Sequence, residues 1–326
     1  MSTLKEIDKE ILTLIQKRVS LLQNQNEDSN SLNEEQKKSI ENKLVRDLKI
    51  QEEAITKNRS IGYLGPVGTF SNQIAIDVFS SIADLVPLNS IPDVFNEVSK
   101  GNIDNGIVPI ENSINGSIVH TIDMLLQNTT NISAEATLNI NHCFLSNSEP
   151  KNITHIYSHP QPFGQCWNWI KINYPNAELV EMSSTGSASK KASTEKNSGT
   201  IGSKILTDLY PIKLVEENIQ DSTINQTRFL IIGKSIDHVD GPYKTSLSIT
   251  LKDKPGSLFQ LLQAFQKENI SLTRIESRPS KLQTWCYNFL IDFEGNQKDP
   301  TISKILENLN TFAFSINVLG SYRKVI

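Results

Sequence analysis

Few side chains here combine types and spacings that do recognisable chemistry, and most of those that do are uncharged. Thr227-Arg228-Phe229 sets a hydroxyl beside a guanidinium. Arg228 can grip a carboxylate through two parallel N–H bonds. It can equally serve as a surface ion pair, since neighbouring strand residues point to opposite faces. Glu111-Asn112 joins a carboxyl to an amide, and Ser158 and Gln165 flank His159-Pro160-Gln161-Pro162 with neutral donors. Thr69, Ser71, Ser184 and Thr185 are hydroxyls of the kind that cap helices and, at the same helix ends, meet anions. Generic signatures fail. Gly62, Gly65 and Gly68 are evenly spaced by three, so they make no dinucleotide fingerprint, and no Gly-Lys-Ser/Thr phosphate loop occurs. His155 and His159 sit four apart, but a strand precedes and Pro160 follows, so they do not share a helix face as a zinc pair would. No Gly-x-Ser-x-Gly elbow is found.

The elements that must position these residues can be read from periodicity. Ile61–Leu64 is a short strand, Gly65–Gly68 a turn, and Thr69 or Ser71 caps a helix carrying Ile74, Ala75, Val78 and Phe79. Strand Asn105–Ile110 delivers Glu111-Asn112 and is followed by a helix through Ile122, Leu125 and Leu126. Strand Thr154–Tyr157 delivers Ser158, a helix from Phe163 to Tyr174 carries Gln165, and Thr227 enters strand Phe229–Ile232. This alternation predicts an α/β class, with polar residues gathered after strands and before helices, where open α/β sheets hold ligands. Beyond an Asp237–Pro242 linker the order is β-α-β-β-α-β, a ferredoxin-like plan. At the other end, Leu4, Ile7, Ile11, Leu14, Arg18 and Leu21 step by three and four along one helical seam. A polar break at Asn24–Ser31 separates them from Ile40, Leu44, Leu48 and Ile55, which predicts a pair of helices.

Composition narrows the class. At 326 residues the chain suggests two or three domains. With 32 basic and 36 acidic side chains, net charge −4 argues against a nucleic-acid binder. No run of about 18 apolar residues could span a membrane. The charged N-terminus is unlike a signal peptide, and Cys143, Cys166 and Cys286 read as buried free thiols rather than a disulfide or metal framework. A cytoplasmic protein is expected.

Five strings now fall in a familiar order: Tyr63–Ser71, Val108–Ser113 with Asn115-Gly116-Ser117, Ser158–Pro162 with Gln165-Cys166, Ser184-Thr185 with Ala188, and Thr227-Arg228-Phe229. Over roughly residues 60–235 they resemble prephenate dehydratase. The last unit resembles that family's regulatory ACT domain through Lys254-Pro255-Gly256-Ser257-Leu258 and Glu276-Ser277-Arg278-Pro279. The resemblance implies a helical arm (1–59), a dehydratase domain (60–236) of two α/β lobes around a cleft as in type II periplasmic-binding proteins, and an ACT domain (243–326). It implies a carbon–oxygen lyase of phenylalanine biosynthesis that needs no metal or other cofactor, takes prephenate as substrate and L-phenylalanine as effector, and forms a homodimer or homotetramer.

Carried over residue by residue, the resemblance makes Thr227, Glu111 and Asn112 catalytic. Thr227 donates to the departing hydroxyl, Asn112 donates to a carboxylate, and Glu111 acts in protonated form or orients other groups. Arg228, Phe229, Ser158, Gln165, Thr69, Ser71, Ser184 and Thr185 are substrate-binding. Some relatives carry an acidic residue before the Ser-Thr pair; here it is Ser183, so no role of that carboxylate transfers. Gly256, Ser257, Leu258, Phe259, Glu276, Ser277, Arg278 and Pro279 form the effector site. The competing reading is a non-catalytic small-molecule sensor of the same architecture, which would have no reason to combine Thr227-Arg228-Phe229 with Glu111-Asn112. Residues 1–59 resemble a truncated chorismate mutase. Arg18 matches a carboxylate-binding arginine and Val45-Arg46-Asp47 the start of a second motif, but Ile50-Gln51 replaces the expected Arg-Glu. One arginine cannot supply the several cations that chorismate rearrangement needs, so no mutase activity is expected; a bifunctional enzyme is the alternative.

Overall fold

The computed structural model describes residues 57–326 apart from 81–82, 128–129, 238, 240, 252–253 and 280–286, and, further upstream, residues 38, 45 and 48–50. Arg18, Arg46 and most of the expected arm therefore lie outside the described residues. Ile50 is buried in the core of the first lobe.

The first lobe opens with β1 (Ser60–Leu64), α1 (Phe70–Phe79), β2 (Asp84–Leu88), α2 (Ile91–Ser99) and β3 (Asn105–Asn112). The short β4 (Gly116–Ser117), α3 (Val119–Gln127) and β5 (Ile132–Asn139) complete this half. In α2, Ile91, Val94, Phe95 and Val98 form one buried stripe at helical spacing behind the Ser90 cap. That stripe lies so close to β3 that a Cβ on Gly106 would stand 2.6 Å from Val94 Cγ1.

The chain then crosses to a second lobe: β6 (Cys143–Ser146), β7 (His155–Ser158), α4 (Pro160–Gln165), α5 (Trp167–Asn173), β8 (Glu178–Glu181), α6 (Thr185–Thr194), β9 (Ser198–Gly202), α7 (Leu206–Leu209) and β10 (Leu214–Glu217). It returns as β11 (Gln226–Gly233), which enters the first sheet between β3 and β5. The outgoing and returning crossovers run side by side, with Ile140 N–H donating to the Asn225 carbonyl at 2.7 Å and Ile219 N–H to the His142 carbonyl at 3.0 Å. The expected helix from Phe163 to Tyr174 is instead α4 and α5, broken at Cys166 (φ −121°, ψ 20°). The break frees the Gln165 carbonyl to accept from Asp221 N–H at 2.8 Å, while the Asp221 carboxylate accepts from the first N–H groups of α5.

The final unit is β12 (Lys244–Leu251), α8 (Ser257–Lys267), β13 (Leu272–Pro279), β14 (Tyr287–Glu294), α9 (Pro300–Phe312) and β15 (Ala313–Lys324), the β-α-β-β-α-β order read from the sequence. It is not a separate bead. Strand β15 runs past the expected end at Leu319 and pairs in parallel with β5, Arg323 against Ala134 and Lys324 against Glu135. The result is one sheet in the order β13-β14-β12-β15-β5-β11-β3-β1-β2, with β4 against β3, beside a five-stranded sheet β10-β6-β9-β7-β8 in the second lobe. Leu290, Leu319 and Tyr322 share a hydrophobic core with Ile122 and Leu125 of the first lobe. No helix among the described residues is long and apolar enough to cross a membrane.

Candidate active site

A cleft of about 370 Å³ lies between the lobes, where the ends of β1, β3 and β11 face α4 and the start of α6. Thr69, Phe70, Ser71, Asn112, Thr227 and Phe229 line it from the first lobe, His159, Gln165, Ser184 and Thr185 from the second, and His142 from the crossover. No Lys, Arg, Asp or Glu is among the described residues lining it.

The antiparallel register of β11 on β3 sets Thr227 against Asn112. The Asn112 Nδ2 donates to Thr227 Oγ1 at 2.9 Å, to Asn225 Oδ1 at 2.8 Å and to the Gln226 carbonyl at 3.1 Å. Its Oδ1 accepts from the Ile114 and Asn115 N–H groups, both at 3.0 Å, which fixes the amide's orientation. Every Asn112 hydrogen is therefore engaged inside the protein. In this structure it donates to Thr227 rather than into the cleft, which leaves the Thr227 O–H free to point elsewhere. A bond accepted at Oγ1 polarises that O–H.

Helix starts supply the other donors. Thr69, rather than Ser71, caps α1, its Oγ1 accepting from Asn72 N–H and donating to the Leu64 carbonyl. Ser184 caps α6 in a capping box with Ser187. In both helices the first-turn N–H groups, those of Phe70, Ser71, Thr185 and Gly186, have no intrahelical acceptor, and the helix dipole favours an anion there. The lobes touch at this point: a Cβ on Gly186 would lie 2.6 Å from the Val67 carbonyl oxygen.

Gln165 faces the cleft from the end of α4, and its Oε1 lies 2.6 Å from Nε2 of His142, which is 1% exposed. Burial pulls the His142 imidazole below its usual 6.5, and the Gln165 bond only partly offsets this, so the ring is neutral at neutral pH. His142 and Asn225 were not singled out by sequence reasoning; each is one polar residue in a crossover without a motif around it.

Three expected site residues lie elsewhere. Ser158 is fully buried and donates to the Ile201 carbonyl at 2.7 Å, tying β7 to β9 rather than lining the cleft. Glu111 and Arg228 take the strand face opposite Asn112 and Thr227. Glu111 lies 3.8 Å from Arg274 of β13. Arg228 Nε meets Glu135 at 2.7 Å, its Nη1 meets Asp292 at 2.6 Å and its Nη2 meets the Tyr322 hydroxyl at 3.1 Å. Lys244 adds a second cation to Glu135 at 2.6 Å, and Ser246 donates to Asp292 at 2.5 Å. Arg228 is thus the centre of a buried ion network beneath the C-terminal unit, neither a substrate clamp nor a surface pair.

In that unit Gly256 (φ +86°) precedes α8, whose Leu258 and Phe259 are exposed. Register places Thr250 against Asn288 and Asn288 against Arg278, so Gly256–Phe259 and Glu276–Pro279 lie at one end of the sheet. Glu276 accepts from Ser117 at 2.7 Å and Arg278 pairs with Asp123 at 3.2 Å, both partners belonging to the first lobe. Cys143 and Cys166 are buried, and burial raises both thiols; Cys286 is outside the described residues. No group of three or more His, Cys, Asp or Glu among the described residues could hold a metal ion.

The prephenate dehydratase family model matches residues 61–237 and the ACT domain model residues 245–311. A bifunctional chorismate mutase/prephenate dehydratase of Pseudomonas aeruginosa is 40% identical over 275 residues, 84% of this chain and 75% of the relative. A prephenate dehydratase of Methanocaldococcus jannaschii is 39% identical over 81% of this chain and 98% of its own. Among solved structures, the prephenate dehydratase of Arthrobacter aurescens in complex with L-Phe superposes with TM-score 0.75 at 28% identity, covering 82% of this chain and 90% of the other. With family model, sequence identity and superposition in agreement, the chain belongs to the prephenate dehydratase family and carries that family's ACT regulatory domain.

Proposed function

We propose that the cleft between the lobes is where this chain turns prephenate into phenylpyruvate. In that reaction the bond to the ring carboxylate breaks, its electron pair enters the ring, and the ring hydroxyl departs, taking up one proton from solution to leave as water; carbon dioxide is the other product. Aromatisation drives the step, so the protein has to align the ring and ease the hydroxyl's departure. The observation that carries the assignment is the Asn112–Thr227 pair, whose geometry leaves the Thr227 O–H as an unspent donor at the cleft. Threonine is too weak an acid to deliver a proton at neutral pH; Thr227 polarises the leaving oxygen by hydrogen bonding instead.

The uncharged lining suits the carboxylate chemistry. A cation held against the departing carboxylate would stabilise the ground state more than a transition state that has lost that charge. Neutral donors at the starts of α1 and α6, with Gln165, hold the anion without that penalty, while Phe70 and Phe229 flank the ring. Phenylalanine binds where Gly256–Phe259 meets Glu276–Pro279. Exposed Leu258, Phe259 and Leu262 make α8 the surface for a second copy. Mixing the protein with prephenate at neutral pH and following phenylpyruvate absorbance in alkali tests the assignment. No product would leave a sensor of the same architecture.

A further inference from the structure

His142 stands on the outgoing crossover, yet its one side-chain partner belongs to the second lobe. Its Nε2 is 2.6 Å from Gln165 Oε1. Its Nδ1 is buried without a partner, and its ring meets Phe70 edge to face at 5.5 Å. The bond assigns the tautomer. With the proton on Nε2 the ring donates to the Gln165 oxygen, and the buried Nδ1 is left as a bare lone pair. The reverse tautomer would bury an orphaned N–H, the rarer and costlier defect.

Both ends of the pair are held. The His142 N–H donates to Gln220 Oε1 at 2.9 Å and its carbonyl accepts from Ile219 N–H, while the Gln165 carbonyl accepts from Asp221 N–H. Three consecutive residues of the returning crossover, 219–221, thus fix the backbones of both partners. With its oxygen held by His142, the Gln165 amide turns its N–H2 away from the imidazole, and Gln165 lines the cleft. We propose that His142 is a positioning residue, whose Nε2–H fixes the Gln165 oxygen so that Gln165 presents its N–H2 to the substrate. This rests on the reading of Gln165 as a substrate contact. Without His142 the amide is free to rotate and offer its oxygen, a wrong-signed partner for a carboxylate or a departing hydroxyl.

Four variants separate this from a packing role: Gln165→Leu, His142→Phe, the pair combined, and His142→Gln, whose Nε2 reaches the place of the imidazole Nε2. Steady-state kinetics with prephenate, alongside thermal unfolding, are the measurements. Gln165→Leu and His142→Phe should each lower kcat/KM by roughly 10²-fold, the combination should be no worse than Gln165→Leu alone, and His142→Gln should restore most of the loss. Should the phenylalanine variant fail to fold, His142→Asn replaces it, since its amide sits at the Nδ1 position out of reach of Gln165. A severe Gln165→Leu defect with additive effects in the combination, or with near-normal His142→Phe, overturns the role of His142 and leaves Gln165 standing. Near-normal Gln165→Leu overturns the Gln165 reading and this inference with it.

Discussion

Thr227 and Arg228 are adjacent on β11, and their side chains meet opposite kinds of electrostatics. On the cleft side the polar groups are hydroxyls, amides and first-turn N–H groups, with no ionic side chain in the described lining. On the other side Arg228 is packed with Glu135, Asp292, Lys244 and Tyr322. There burial pulls its guanidinium down, and Asp292, Tyr322 and Glu135 more than offset that and leave it raised. Full charges are placed where they join two parts of the protein, and partial charges line the cleft proposed for the substrate. A strand makes such a division possible because adjacent residues face opposite ways.

The division can be broken from either side. Thr227→Val keeps shape and branching, and turnover should fall by roughly 10²–10⁴-fold with an unchanged unfolding midpoint; near-normal turnover in the folded variant removes Thr227 from the chemistry. Arg228→Met strands Asp292 and leaves Glu135 to Lys244 alone, and should cost about 3–5 kcal/mol of stability in denaturant unfolding, with KM little changed. A raised KM at unchanged stability would return Arg228 to the substrate. Asp123→Asn releases Arg278 and should shift inhibition by phenylalanine within a coupling of about 1–3 kcal/mol, leaving uninhibited turnover intact. An unmoved inhibition curve would detach Arg278 from the effector. The smallest effect concerns pH. Because burial lowers the His142 imidazole, its unfolded form binds the proton first as pH falls below 6.5, so stability drops between 6.5 and the lowered folded value. His142→Gln should flatten that part of the stability profile, and equal slopes would exclude His142.

Most of the architecture was legible in the sequence, because alternation, caps and glycine turns are local signals. The C-terminal β-α-β-β-α-β order, the helix starts at Thr69 and Ser184, the strand end at Asn112 and the strand entry at Thr227 follow from such patterns; the helix break after Gln165 does not. What escaped depends on register and on distant partners. Nothing local says that Arg228 turns toward Asp292, 64 residues away, or that Ser158 spends its hydroxyl on Ile201. The resemblance placed Glu111 in the site by its neighbour Asn112, but a two-residue period puts such neighbours on opposite faces. His142 and Asn225 acquire meaning only when two crossovers, 77 or more positions apart along the chain (Ile219 to His142), lie side by side. Removing residues 243–326 would strip Leu319, Tyr322 and Val325 from cores shared with the first lobe, so such a truncation would report on folding as much as on regulation.

The unbroken sheet from β13 to β2 also limits where the molecule could flex. The first lobe and the ACT domain share backbone pairing, two cores and the Arg228 network, so they form the stationary body. The second lobe joins that body covalently only through the two crossovers, so any opening of the cleft would have to turn about residues 140–142 and 218–225. His142 and Asn225 sit on those crossovers, where displacement would be smallest. A side chain on a rotation axis can keep hold of its partner through both positions of the door.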